Sequence, residues 1–284
     1  MKKTKWLFWL IQGAIVVVVN PLNIEVVPAY VISHLAAEQM TPEQEVSLFN
    51  LIGYTEEGKK KWEIFGKSAV MAEQLIHLDG ILAKVYGEDE GTTLRAKKGT
   101  YDEEAKKVHL EEDVVITNAE GAVLETEALD WDADADKVTS EAPVKIVRDD
   151  IIATGLGAEA HPRLKTAVLK KDVKVDVNQA TEITCDGPLE VDQNKNLAIF
   201  RENVVITDKE GQIQADLVIA HFDRESQAIT EVEAEGNVVI IRGDNRSFSD
   251  RLLYDHRTGK VTLLGKPKLY IIPGKDDKSE FITN

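Results

Sequence analysis

Beyond residue 60, apolar side chains recur at every second position rather than every third or fourth. Val108, Leu110, Val114 and Ile116 fall on one side of the segment 108–116, and His109, Glu111 and Val115 on the other. This is the alternation of a strand with one apolar face. The pattern itself repeats. Copies of one turn signature read YDEEAKKV at 101–108, WDADADKV at 131–138, HPRLKTAV at 161–168, VDQNKNLA at 191–198, FDRESQAI at 222–229 and YDHRTGKV at 254–261. They start 30, 30, 30, 31 and 32 residues apart, and only the copy at His161 lacks Asp in second place. A β-branched run follows each, as in HLEEDVVIT at 109–117, TSEAPVKIV at 139–147 and IFRENVVIT at 199–207. At a shift of 90 residues DVVITNAEG at 113–121 lies over NVVITDKEG at 203–211, so the two halves are related. Each unit supplies about two strands joined by Asp, Asn and Gly turns, and no helical crossover fits between them. The predicted fold is all-β, an antiparallel sheet stack built from repeats of about 30 residues, either an open twisted jelly roll or a solenoid in which each unit pairs with its neighbours. The same register in LIHLDGILAKV at 75–85 places the expected start of the β region near Trp62.

The N-terminus follows another rule. Lys2, Lys3 and Lys5 precede a run from Trp6 to Val19 that is apolar except for Gln12 and Gly13, the layout of a signal sequence or a signal anchor over 1–29, either of which exports the rest of the chain. A helix over 5–22 would be about 27 Å long, close to the hydrocarbon thickness of about 30 Å. The nearest cleavage candidate, Val27-Pro28-Ala29, has an awkward proline, which favours a retained anchor. In the linker over 30–58, Thr41 as N-cap, Pro42 at the first helical position and Gln44 at the capping-box position predict a short helix carrying Val46, Leu48, Phe49 and Leu51.

Charge narrows the partners. Thirty-four Lys and Arg face 50 Asp and Glu, a formal net charge of −16, and without a basic stretch the chain lacks the footprint of a nucleic-acid binder. An apolar fraction of 43% with 30% charged residues excludes wholesale disorder. The single cysteine, Cys185, forms no internal disulfide and reads as a small buried residue. Asp130, Asp132, Asp134 and Glu141 occupy four positions of a calcium loop, but Ala135 stands where the sharp turn needs glycine, so a plain repeat turn explains them better. Six scattered histidines show no metal-ligand or nucleophile spacing. These residues give no positive evidence of a catalytic, metal or cofactor site, and they do not by themselves exclude an enzyme.

The segments WEIFGKSA at 62–69, LRAKKGTYD at 94–102, TNAEGAVLETEALDWD at 117–132 and VTSEAPV at 138–144 resemble the periplasmic LptC component of lipopolysaccharide export. Residues 181–272, with ITCDGPLEVD, NLAIFRENVVIT, GQIQADLV and GNVVIIRGD, are similar to the related LptA/OstA domain. The resemblance implies an LptC-like β domain over 59–178 followed by an LptA/OstA-like domain over 179–284. It further implies a single-pass inner-membrane protein with its bulk in the periplasm. Its cargo would be lipopolysaccharide or a similar glycolipid. One docking partner would be an ABC transporter permease and ATPase complex, and an LptA-like or outer-membrane assembly protein would be reached through edge strands. The lane-lining positions expected from the alternation are Val108, Leu110, Val114, Ile116, Val144, Ile146, Val204, Ile206, Val238 and Ile240. Lys97-Lys98, Lys106-Lys107 and Lys170-Lys171 are the local positive pairs that could meet an anionic headgroup, or else are solvated turns. Two further readings stand beside this one. A structural β-repeat scaffold anchored to the membrane would have a dry, fully packed interior. A carbohydrate-active β-helix enzyme would cluster Asp, Lys and Arg on one exposed sheet face.

Overall fold

The computed structural model describes residues 44–54, 58–72, 75–86, 91–102, 104–119, 121–132, 134–161, 164–225 and 228–272. Among them the chain forms one antiparallel sheet. Its first nine strands are β1 (Gln44–Tyr54), β2 (Lys60–Ala72), β3 (Leu75–Val85), β4 (Thr92–Asp102), β5 (Lys107–Thr117), β6 (Val123–Asp132), β7 (Lys137–Arg148), β8 (Ile151–His161) and β9 (Thr166–Val177). Then come β10 (Thr181–Cys185), β11 (Leu189–Asp192), β12 (Leu197–Asp208), β13 (Gly211–Phe222), β14 (Ile229–Arg242), β15 (Asn245–Asp255), β16 (Lys260–Leu264) and β17 (Lys268–Tyr270). Each strand pairs with its neighbour in sequence, except that β10 and β11 together fill one place between β9 and β12. Likewise β16 and β17 together line β15. The all-β expectation holds, and the sheet runs unbroken across residues 178 and 179 because Thr181 pairs with Val177. No described helix is long and apolar enough to cross a membrane. The expected anchor over 1–29 lies outside the described residues.

Two boundaries differ from the sequence reading. The β region begins at Gln44 rather than near Trp62, and the short helix expected after Thr41 is strand β1, paired to β2 from Gln44 to Tyr54. Leu48 sits in the left-handed region at φ 52°, which interrupts the period of two. Apolar residues then fall at 46, 48, 49 and 51, a spacing that imitates a helix.

The long strands bend in the middle, and the bend chemistry is written in the repeat. In β5 both Glu112 and Asp113 are left-handed, at φ 62° and 56°, where the ladder shifts between Glu111 and Val114. Ninety residues on, Glu202 and Asn203 do the same in β12, at φ 65° and 52°. Gly236 and Asn237 serve in β14. Such bulges sharpen the strand bend and local twist. Left-handed non-glycine residues cost about 1–2 kcal/mol each, and polar partners on the outer side brace them. Lys97 bonds Asp113 at 2.5 Å and Lys98 bonds Glu112. The Asn203 amide donates to Asp186 at 2.6 Å, and the Asn237 amide to Asp216 at 2.9 Å.

Residues on both sides of the bend are buried: Leu110 and Val114, Leu169 and Val173, Phe200 and Val204, Ala234 and Val238. A single sheet with no second layer can bury both halves of a strand only by folding over along the line of bends. The apolar face becomes the inside of a two-armed trough, and the polar face its outside. At the ends of the first arm four of the five Asp-bearing copies close the turn by accepting a backbone N–H three residues on: Asp102 from Ala105, Asp132 from Ala135, Asp192 from Lys195 and Asp255 from Thr258, all at 2.8–3.0 Å. The Ala135 N–H holds the Asp132 carboxyl below its ordinary pKa.

Candidate functional site

The interior of the trough is the site. Of the ten positions expected to line it, Leu110, Val114, Ile116, Val144, Ile146, Val204 and Val238 are buried, and Val108, Ile206 and Ile240 are half-buried against the same cluster. Cross-strand pairing strings them into rows. On the second arm Ile116 faces Leu124, Leu124 faces Ile146 and Ile146 faces Ala153. The row continues through Val175, Ile183, Ile206, Ile213 and Ile240. The apolar lane therefore crosses from the first half of the chain into the second without a polar break on this row. Burial of each such side chain is worth about 1.5–3 kcal/mol.

On the first arm the innermost row runs from Leu110 and Leu129, is interrupted in β7 by the buried Ser140 facing Ala158, and continues through Leu169, Leu189 and Phe200 to Val218, Ala234 and Leu252. The row nearest the mouth changes size along its length. It holds Tyr101, Val108, Trp131 and Val138, all half-buried, then Ala160, Ala167, Val191, Ala198 and Ala220, all buried. The seam is thus shut over β8 to β13 and looser over β4 to β7.

The lane is narrow between β5 and β8. A cavity of about 30 Å³ lies there, lined by Ile116, Leu129, Val144 and Ile146 with Thr126 and Ser140. It can hold little more than a water molecule, so an acyl chain enters this stretch only if the arms separate. Thr126 and Ser140 are polar residues that the alternation did not single out. Their hydroxyls lie 3.0 Å apart, and Thr126 donates to the Pro143 carbonyl at 3.0 Å. They satisfy backbone groups where β6 and β7 bend.

Among the described residues both ends of the trough are open. Among the described residues β1 pairs only with β2, and β16 and β17 only with β15. Val46, Leu48, Leu51 and Tyr54 are exposed at one end, and Val261, Leu264, Leu269 and Tyr270 at the other.

The outside carries the charges. His109 and Asp130 meet at 2.7 Å, Lys106 and Asp134 at 3.2 Å, Lys107 and Asp132 at 3.5 Å, and Lys170 bonds Glu141. Asp130, Asp132 and Asp134 each have a different partner, so they do not converge as a calcium loop would. These lysines are engaged by carboxylates of the protein itself. His221, Glu231 and Glu233 bring ligand atoms within 4.8 Å of one another on the outer face of β13 and β14, but Arg251 bonds Glu233 there at 2.9 Å. Cys185 is buried in the bend row, and desolvation pushes its thiol pKa up to about 11. It is an unreactive core residue.

Comparison with known proteins gives two adjoining family matches. The model for LptC-related lipopolysaccharide assembly matches residues 11–178, more than half of the chain. The model for the LptA/(LptD N-terminal domain) LPS transport protein matches residues 182–282. No curated protein matches the chain. Among solved structures, LptH of Pseudomonas aeruginosa, the LptA homologous periplasmic component of its lipopolysaccharide transport device, is 15% identical, with a TM-score of 0.37 over 43% of this chain and 95% of that one.

Proposed function

Because the chain belongs to the LptC-related lipopolysaccharide-assembly family, with an LptA/LptD N-terminal match directly after it, we propose that it is a membrane-anchored segment of the periplasmic bridge that moves lipopolysaccharide from the inner to the outer membrane. The observation that carries this reading is the row from Ile116 to Ile240, an apolar lane shared by both family regions. Exposing one methylene to water costs about 0.8 kcal/mol, so a chain of about a dozen costs about 10 kcal/mol to carry uncovered. A folded-over sheet can supply the cover, with the arms parting to admit the chains. The sugar and phosphate part stays outside, since an acidic surface on which Lys97, Lys98, Lys106, Lys107 and Lys170 already meet carboxylates is a poor host for an anion.

The free edges at β1 and at β16–β17 support the partner assignment. An unpaired strand beside exposed apolar side chains accepts another strand by sheet extension. In this reading β1, next to the anchor over 1–29, faces the ABC transporter at the inner membrane. The edge at β16–β17 takes an LptA-like or outer-membrane assembly protein. No catalytic step and no cofactor enter it. The packed interior is also what a purely structural scaffold would have, and ligand capture separates the two. A photo-crosslinking residue placed at Val114 or Val204 in cells is expected to capture lipopolysaccharide, and one at the outward Val115 is not. Capture from Val115 alone overturns the reading.

A further inference from the structure

Trp131 is the one large side chain on the mouth row with an unmet polar demand. It lies in β6 between Val108 and Val138, half-buried and packed on the interior cluster. Its indole Nε1 is buried and has no hydrogen-bond partner. An orphaned buried donor gives up its hydration with nothing in return, and such groups in native folds call for an explanation. Its neighbours in sequence turn to other groups: Asp130 bonds His109 at 2.7 Å, and Asp132 accepts from the Ala135 backbone at 2.8 Å. Neither reaches the indole, and the side chains of the lane beneath it, Leu110 and Leu129, have no acceptor to give.

Trp131 marks the boundary between lane and solvent. Tryptophan suits such a boundary, with an apolar body and one polar tip, as at membrane interfaces. An acylated lipid lying in the lane has a boundary of its own, because the first polar atoms above its methylenes are the carbonyl oxygens of the ester or amide linkage. Building on the transport reading above, we propose that Trp131 is a binding residue whose indole N–H donates to an acyl-linkage carbonyl of the cargo when the arms part. The site recognises the carbonyl-bearing head of an acyl chain rather than the sugar or the phosphate. It also places entry on the loose part of the seam, over β4 to β7, ahead of the shut section lined by Ala160, Ala167, Ala198 and Ala220.

The test uses the full chain in detergent with a photo-crosslinking residue at Val114, titrated with lipid A and, separately, with a synthetic counterpart whose acyl linkages are all replaced by uncharged ethers. Trp131→Phe keeps the ring and removes the donor. It is expected to weaken capture of lipid A about threefold to tenfold, the worth of one neutral hydrogen bond, and to leave capture of the carbonyl-free counterpart unchanged. Equal loss on both lipids, or none on either, overturns the inference. Should Trp131→Phe fail to fold, the unsubstituted chain decides alone. A preference of about threefold to tenfold for the carbonyl-bearing lipid supports the proposal, and equal affinity overturns it. If the unsubstituted chain captures neither lipid, the transport reading fails and this inference with it.

Discussion

Strand β7 and the terminal pair β16–β17 are written alike, VTSEAP at 138–143 and VTLLGKP at 261–267, and both cross the bend with a proline. Val138 and Val261 lie on the mouth row, and Ile146 and Leu269 on the same second-arm row. Yet Ile146 is 2% exposed and Leu269 is 58% exposed. The difference is not composition. Strand β7 has β6 on one side and β8 on the other, whereas β16–β17 has β15 alone. Among the described residues nothing pairs with the other side of the terminal pair. Its apolar residues are in the condition that a partner strand would correct, and Pro267 is tolerated there as at any edge or bulge.

Truncation breaks the comparison most strongly. Ile146→Ala is expected to cost about 2–5 kcal/mol in chemical denaturation, the range for a buried large-to-small change. Leu269→Ala should fall within about 0.5 kcal/mol, as for exposed positions. Equal costs would mean that the terminal pair is already covered.

The bends give a smaller effect of opposite logic. Gly236, at φ 76°, and Gly265, at φ 79°, are both left-handed, and a Cβ on either would stand 2.4 Å and 2.2 Å from the carboxylates of Asp216 and Asp250. Substitution to Ala at each should cost about 1–2 kcal/mol from the backbone alone, with similar losses in melting experiments. A negligible loss at Gly265 would show that the terminal bend is not formed in solution.

The other edge has its own clasp. Glu63, 8% exposed, accepts from Lys60 and Tyr86 at 3.0 Å and from Asn50 of β1 at 3.3 Å. The Lys60 hydrogen bond holds its carboxyl below the ordinary value of 4.5, with Tyr86 and Asn50 adding to the effect. A depressed carboxylate contributes stability that is complete above the unfolded pKa and is lost as pH falls through the folded one. The melting temperature of the unsubstituted chain should therefore exceed that of Glu63→Gln at pH 7, and the gap should shrink below about pH 4.5. A gap that grows on acidification would reverse the assigned sign.

The sequence carried more of the middle than of the ends. The even spacing of Val108, Leu110, Val114 and Ile116 survives the bend because two consecutive left-handed residues, Glu112 and Asp113, occupy it, so the inward face was readable. The repeat period and its Asp-capped turns were readable for the same reason, that each turn is a local structure. Strand β1 was not, because one left-handed Leu48 made four apolar positions look helical. The Thr126–Ser140 pair and the unmet Trp131 donor were also invisible, since both depend on which strand comes to lie alongside. Lys97 and Lys98 read as free cations only until β5 supplied Asp113 and Glu112.

Continuity of the lane is what everything else requires, and a plug at the junction of the two family regions tests it most directly. Val173 of β9 is 2% exposed in the bend row there. Val173→Trp, with Val173→Asp as a second variant, would be combined with photo-crosslinkers at Val114 and at Val204 in cells making lipopolysaccharide. The lane predicts that capture persists at Val114 and is lost at Val204. Undiminished capture at Val204 behind a folded, plugged junction would contradict it.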